Sequence, residues 1–387
     1  MPVVVSLPES EHRNGCPTAP MTSKKTDTQE TSKTASLGAL HGVRILDLSA
    51  VVSGPMAAVV LADQGADVIK IEPPGWGDGI RFLGASRNGL SSIFSMINRN
   101  KRSLAINLKH PAGRALVSKL VETADVLLQN FRPGKMEALG LDYESLKTIN
   151  PNLIYASING MGEVGPYAEQ KVYDYVIQGI SGALDAQAEG DQPKIIRSII
   201  YDKVTALTAA QGITAALYAR AMGAGGQHIK VSMLDAGVYF NWPDLMWNHS
   251  FRGDGVQYSG DLADMYEINT ANDGAIVTHQ MDIDCSNYST DELIEIFAHN
   301  EIPVARVNSR ADVANDPQVK ALGILEEIDH PRGGPMVQPR APVRFGQSIS
   351  SKKNPSPEVG QHTAEILGEL GLSIEEMKAL AMEGAIG

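Results

Sequence analysis

Val43-Arg44-Ile45-Leu46-Asp47-Leu48, then Ser49 to Pro55, then Met56 to Gln64, then Asp67-Val68-Ile69-Lys70-Ile71-Glu72: this stretch decides the fold. Its first six residues are a mostly apolar run that reads as a buried strand. Gly54-Pro55 marks a turn, and the Ala- and Val-rich run after it reads as a helix closed by Gly65. Asp67 to Glu72 is strand-like again. Strand, short helix and strand in such quick succession make a βαβ unit, which implies parallel strands because the crossover returns the chain to the same end of the sheet.

Outward from this unit the pattern repeats. Pro111 to Thr123 is amphipathic at helical spacing, with Leu116, Leu120 and Val121 on one face. Asp125 to Gln129 reads as a strand, Tyr143 to Ile149 as a short helix and Leu153 to Ile158 as the next strand. Alternating β and α elements predict an α/β class with an open parallel sheet covered by helices on both faces; the strand order is not readable. After Gly160 the alternation stops. Val204 to Met222 reads as a long Ala-rich helix, and His228 to Ser232 as a strand. From about Leu234 to Leu325 the chain looks like a smaller unit. Pro331 to Pro342 resembles a connector, and His362 to Gly384 holds two short helices separated by Gly371. Residues 1–38 are different material. Thr22 to Ser36 is nearly all Ser, Thr, Lys, Gln, Asp and Glu, a composition too polar to bury a core, so 1–38 is expected to be a disordered tail.

The chain has 387 residues, 43% hydrophobic and 20% charged, a globular balance that suits one large domain and a smaller one. Its formal net charge of −12 argues against non-specific nucleic-acid binding, which needs a net basic face. Cys16 and Cys285 cannot make a disulfide framework, which suits a reducing compartment. The nine histidines include no His-x-x-x-His pair, so no metal site is expected. No apolar run reaches the roughly 20 residues that span a bilayer, and Met1 to Leu7 lacks a basic leader, so the expected location is cytoplasmic, without membrane partners.

Gly160-Met161-Gly162-Glu163-Val164-Gly165 matches Gly-x-Gly-x-x-Gly after a strand. A dinucleotide site also needs a helix opening inside the motif and an acidic strand end about 20 residues on, and neither is present, so no NAD is expected. No P-loop and no Gly-x-Ser-x-Gly elbow occurs. Asp202, in Ile199-Ile200-Tyr201-Asp202-Lys203, stands at the start of the long helix, and Asp174, in Lys171-Val172-Tyr173-Asp174, at the start of a shorter one. Taken alone each reads first as a helix cap, and second as half of a carboxylate pair. The basic run Asn98-Arg99-Asn100-Lys101-Arg102 with Lys109 suits either a solvated loop or a phosphate-rich ligand.

Together these segments resemble the family III CoA-transferases, the group of formyl-CoA transferase, carnitine CoA-transferase and 2-methylacyl-CoA racemase. The resemblance lies in Arg44 to Pro55 with Gly65 to Glu72; in Asn98 to Ser103; in Asn130-Phe131-Arg132-Pro133-Gly134; in Gly165-Pro166-Tyr167; in Tyr173-Asp174 with Ser181-Gly182; and in Gly226-Gln227 leading to Ser232 through Ala236. Gly360 to Thr363 and Leu367 to Leu372 also fit. Each motif alone is weak; in this order the set is specific. The resemblance implies a Rossmann-like large domain built from both chain ends (39–230 and 335–387), a small α+β domain between them (231–334), and an interlocked homodimer. It implies coenzyme A, carried as acyl-CoA, and a small carboxylic acid as partners. Position by position, Val51, Val52 and Ser53 fall on the loop that lines the coenzyme. Lys109 and Lys171 fall on positions for its nucleotide end, with Asn130 and Phe131 beside it. The nucleophile falls on Asp202 and the second acid on Asp174.

The racemase branch places a histidine where this chain has Tyr173. A phenol titrating near 10 is a poor substitute for an imidazole near 6.5, which favours transfer over proton shuttling. A non-catalytic CoA-binding homologue is the other alternative. Three departures bear on the site. Tyr201 precedes Asp202 where the family commonly has glycine, and its bulk is expected to narrow the acyl pocket or to change the oxyanion contacts. Ala138 replaces a basic residue, leaving Arg132 to compensate. Between Asp273-Gly274 and Thr290 several family helices are absent, so the small domain is expected to be shortened. Trp76, Trp242, Trp247 and Met246 are expected in the core rather than around an acyl group.

Overall fold

A computed structural model of the chain describes residues 37–281, 283–348 and 354–387. The expectation of a disordered tail falls almost wholly outside them. The chain forms two compact units, Gly253–Gln318 and Ser36–Arg252 with Val319–Gly387.

The larger unit is built on a parallel sheet. Its strands are β1 (Arg44–Asp47), β2 (Asp67–Glu72), β3 (Lys101–Ala105), β4 (Val126–Gln129), β5 (Ile154–Asn159) and β6 (Gln227–Ser232). They lie in the order β3-β2-β1-β4-β5-β6, every neighbouring pair parallel. This is the doubly wound order of dinucleotide-binding folds. The strands read as apolar runs because helices cover both faces. On one face Leu46, Ile69, Leu104, Leu127 and Tyr155 pack under α2 (Pro111–Val121) and α6 (Thr363–Glu369). On the other, Ile45, Val68, Val126, Leu128 and Ile154 pack under α1 (Ser53–Asp63) and α4 (Ile200–Ala219). Each fully buried aliphatic side chain contributes about 1.5–3 kcal/mol. The alanines of α4 at 206, 209, 210 and 216 are all buried, so the helix presents a flat face to the sheet and to α1.

The C-terminal segment closes the first face. Ile366 and Leu367 are fully buried, and Ile386 forms a β-bridge with Ile106 next to β3. The helix that follows α6, α7 (Ile374–Met382), opens on a capping box between Ser373 and Glu376. The stretch read as a connector, Pro331 to Pro342, is largely an antiparallel hairpin that pairs Leu325–His330 with Gly334–Pro339. Gly334 takes a positive φ of 69° at its turn, which the sequence pattern conceals behind prolines.

The smaller unit has an antiparallel sheet of Tyr266–Thr270, Ala275–His279 and Val304–Arg306, with one amphipathic helix, Thr290–His299, packed on it through Leu293 and Phe297. Among the described residues no helix is long and apolar enough to cross a membrane, and no group of three or more His, Cys, Asp or Glu side chains is placed to hold a metal.

Candidate active site

In a sheet of this order the chain leaves β1 towards one side and β4 towards the other, and the adjacent strand ends open a crevice where such folds bind ligands. Two loops border it: Leu48 to Val52 between β1 and α1, and Asn130 to Pro133 after β4. They form walls of a cleft of about 270 Å³ whose lining includes Val51, Val52, Ser53, Lys171, Met233 and Asp202. Asn130 and Phe131 also line it.

Asp202 occupies the first turn of α4. It is not a cap: the N-cap position is Ile199, with no side-chain bond. Burial raises the Asp202 carboxyl to about 6, with the nearby Asp174 charge adding to the rise; hydrogen bonds from the Ser53 backbone and hydroxyl pull the other way. Ser53 is the first residue of α1, whose N–H has no partner within the helix. The carboxylate therefore stands in the opening turn of its own helix and against the N-terminus of another, and both ends favour negative charge.

Asp174 is buried, with 4% exposure. It opens the helix α3 (Asp174–Ile180). Its carboxylate accepts the Tyr201 N–H at 2.8 Å and the Gln178 side-chain amide at 2.8 Å. Gln178 reaches on to the Ile196 and Ser198 carbonyls and takes the Ile196 N–H. Asp174 thus caps α4 from a neighbouring helix and fixes the turn that carries Asp202. The two acids read as alternatives, cap or chemistry, divide the roles: Asp174 caps at a distance and Asp202 faces the cleft.

The Leu48–Val52 loop is held tightly. Ser49 donates its N–H to Asp47 at 3.0 Å, and Lys70 Nζ donates to the Ser49 carbonyl at 3.0 Å. Asn130 clasps Ala50, accepting its N–H and donating to its carbonyl, both at 2.8 Å. Val51 has a φ of 69°, a region β-branched residues avoid at a cost of about 1–3 kcal/mol. At Gly54 only glycine fits, because a Cβ would meet that of Ser49 at 2.2 Å.

Lys109 lies elsewhere, in a second cleft of about 300 Å³ with Lys135, Leu108 and Leu139. Phe131 lines both clefts, so the two lysines expected at one end of the coenzyme, Lys109 and Lys171, stand on either side of it. Lys135, missed in the sequence, sits three residues after Arg132 in a stretch with no strand or helix pattern. Phosphate groups fit exposed cations beside an apolar wall.

Several sequence expectations are corrected. The basic run at 99–102 is neither a solvated loop nor a ligand site. It leads into and begins β3, and its charges are spent internally: Arg99 on Asp63, Lys101 on Asp47 and Arg102 on Asp67 and Glu369. Tyr201 does not narrow the cleft. Its ring is 1% exposed and its hydroxyl bonds Asn241 at 2.9 Å, because the helical turn points residues 201 and 202 in different directions. Trp76 and Trp242 are 77% and 44% exposed, so neither is core. The glycine-rich stretch at 160–165 is as the sequence implied: irregular chain follows it up to α3, and no helix opens within it.

A doubly wound sheet with a partly buried carboxylate in the crevice at its strand ends defines a class: an α/β fold with a ligand cleft at its topological switch point. The chain belongs to CoA-transferase family III, whose family model matches residues 40–280 and 260–363. It is 32% identical to succinate–glutarate CoA-transferase of Agrobacterium fabrum, over 86% of this chain and 95% of that one. It is 31% identical to human succinyl-CoA:glutarate CoA-transferase, over 86% of each chain. A solved CAIB/BAIF family protein from Brucella suis superposes with a TM-score of 0.76 at 31% identity, covering 86% of this chain and all of that one. The protein is an enzyme of the acyl-CoA:carboxylate CoA-transferase type.

Proposed function

We propose that the chain moves coenzyme A from an acyl-CoA donor to a small carboxylic acid with Asp202 as the nucleophile. One observation carries the reading: the carboxylate that lines the cleft at the strand ends is the one held near 6 by burial and a neighbouring acid. Ionised at neutral pH yet poorly solvated, it is suited to attack.

The Asp202 carboxylate adds to the thioester carbonyl and the carbon–sulfur bond breaks, giving a mixed anhydride and the coenzyme thiolate. The thiolate then attacks the Asp202 side-chain carbonyl and expels the donor's acid, leaving an aspartyl-CoA thioester. The acceptor carboxylate attacks that carbonyl and releases the thiolate, which takes the acceptor's acyl carbon and frees Asp202. Each addition puts negative charge on an oxygen beside the start of α1, where the Ser53 N–H suits it. Asp174 keeps the Asp202 turn in place. Val51, Val52, Asn130, Phe131 and Lys171 line the thioester end, and Lys109 with Lys135 suits the phosphates. The curated relatives named for succinate and glutarate support a dicarboxylate acceptor, and Arg132, exposed at the cleft, suits its second carboxylate.

A homodimer is part of the same reading. Leu207, Tyr218, Tyr239, Phe240 and Trp242, on α4 and on α5 (Met233–Leu245), are 44–85% exposed, and large apolar side chains exposed on two packed helices suit an interface. The family model matches in two stretches that overlap at 260–280, which supports a shortened segment near Asp273.

Replacing Asp202 by alanine abolishes transfer while CoA still binds. Acyl-CoA followed by hydroxylamine labels Asp202, read by peptide mass. The wild-type kcat/KM falls as pH drops through about 6, where the carboxylate takes up a proton. Turnover retained by Asp202→Ala removes the assignment. Exchange of the substrate's α-proton into deuterated water with no labelled aspartate replaces transfer by racemisation.

A further inference from the structure

We infer that Asp78 is a positioning residue for Asp202: it holds Val51 in its left-handed conformation, and so keeps the start of α1, with the Ser53 donors, against the nucleophile. The inference rests on the reading of Asp202 as the nucleophile.

Val51 is a β-branched residue at φ 69° with 38% of its surface exposed, so packing does not impose the conformation. Hydrogen bonding does. The Val51 N–H points at both oxygens of Asp78, at 3.1 and 3.2 Å. Asp78 is itself buried and braced from β2. Lys70 donates to its carboxylate at 2.9 Å, its own N–H reaches Glu72 at 2.9 Å, and it accepts the Ile80 N–H at 3.1 Å. With Lys70 on the Ser49 carbonyl and Asn130 on Ala50, three consecutive residues of the loop are fixed by three side chains, those of Lys70, Asn130 and Asp78. Two residues further on is Ser53.

A chain that only had to connect β1 to α1 could do so through relaxed backbone. Here a strained residue is maintained by a buried ion pair, and strain of this kind persists where the surroundings over-determine it. Its effect is to hold the start of α1 where Ser53 lines the same cleft as Asp202. Facing that carboxylate from the other elements are Asp174 on α3 and, along the cleft wall, Arg132, Glu169 and Lys171.

The test must separate positioning from folding. Removing Asp78 alone strands a buried Lys70, so the charge is removed in pairs. Lys70→Met/Asp78→Asn keeps an oxygen for the Val51 N–H; Lys70→Met/Asp78→Leu does not. With both folded by near-ultraviolet circular dichroism, the leucine pair is expected to show a kcat about tenfold or more below the asparagine pair, with KM for acyl-CoA differing by less than about threefold. Its acid limb of kcat/KM moves to higher pH, because the Ser53 hydrogen bonds that lower the Asp202 pKa are weakened. Equal kcat and an unmoved limb overturn the inference. If the leucine pair does not fold, Lys70→Met/Asp78→Ala, which also lacks an acceptor for the Val51 N–H but adds no bulk, takes its place against the asparagine pair. A tenfold loss supports positioning, and a loss under about threefold overturns it. Asp202→Ala is assayed in parallel. If it keeps turnover, the nucleophile reading fails and the inference with it; if it loses turnover while the paired variants do not differ, only the role of Asp78 fails.

Discussion

Two aspartates at helix starts look alike in a sequence, and the difference between them is made by what lies above and below each one. Asp174 has donors on both oxygens and is closed off from the cleft; Asp202 has the cleft on one side and Ser53 on the other. Sequence order brought both residues into view, but the division of labour depends on a neighbouring helix that no local pattern announces. The asymmetry predicts a change of known sign. Asp174→Asn removes the like charge that helps to raise Asp202 and leaves an amide oxygen for the Tyr201 N–H. The acid limb of kcat/KM is therefore expected to move to lower pH, with a stability loss of about 1 kcal/mol from the poorer match to Gln178. A pH–rate profile and a thermal melt read the two effects separately, and a limb that moves upward contradicts the placement of Asp174.

At the scale of elements, the strands with uninterrupted apolar runs were legible, because burial on both faces leaves no room for alternation. β3 was not, since Lys101 and Arg102 open it and a pair of cations normally means solvent. They are tolerated because Asp67 on the adjacent strand β2 receives Arg102 and Asp47 on β1, one strand further on, receives Lys101. Such pairing across strands far apart in sequence has no local signature. The helix α4 was legible through its alanines, but the closeness of α5 to it was not. That closeness depends on Gly237, where a Cβ would come within 2.9 Å of Ile177 and 3.0 Å of Tyr201. Gly237→Leu is expected to cost about 1–3 kcal/mol by overpacking, lowering the melting temperature by a few degrees. It also lowers kcat, because the displaced Tyr201 adjoins Asp202. A variant with unchanged melting temperature would show that α5 has room to move away.

For the molecule as a whole, the class was readable and the strand order was not, since alternation says which elements exist and leaves open where the chain turns back. The order matters because it puts the ends of β1 and β4 side by side and so places the cleft. The apolar side chains left on α4 and α5 carry the prediction at this scale. The wild type is expected to sediment as a dimer at micromolar concentration, and Tyr239→Asp/Trp242→Asp to shift it towards monomer. A wild type that sediments as a monomer at all concentrations rules out that use of the surface.

The closing of one sheet face by α6 has a consequence for how the protein is made. Ser103 on β3 and His362, which precedes α6, bond each other although 259 residues separate them. On the ribosome, at about 5–20 residues per second, β3 emerges tens of seconds before the helix that will cover it. Throughout that interval Ile69 and Leu104 lack the cover of α6 and present a greasy ledge to solvent. A nascent chain in this state is a natural client for holding chaperones, and slowing translation in the last third of the message should lengthen its exposure and increase the fraction lost to aggregation.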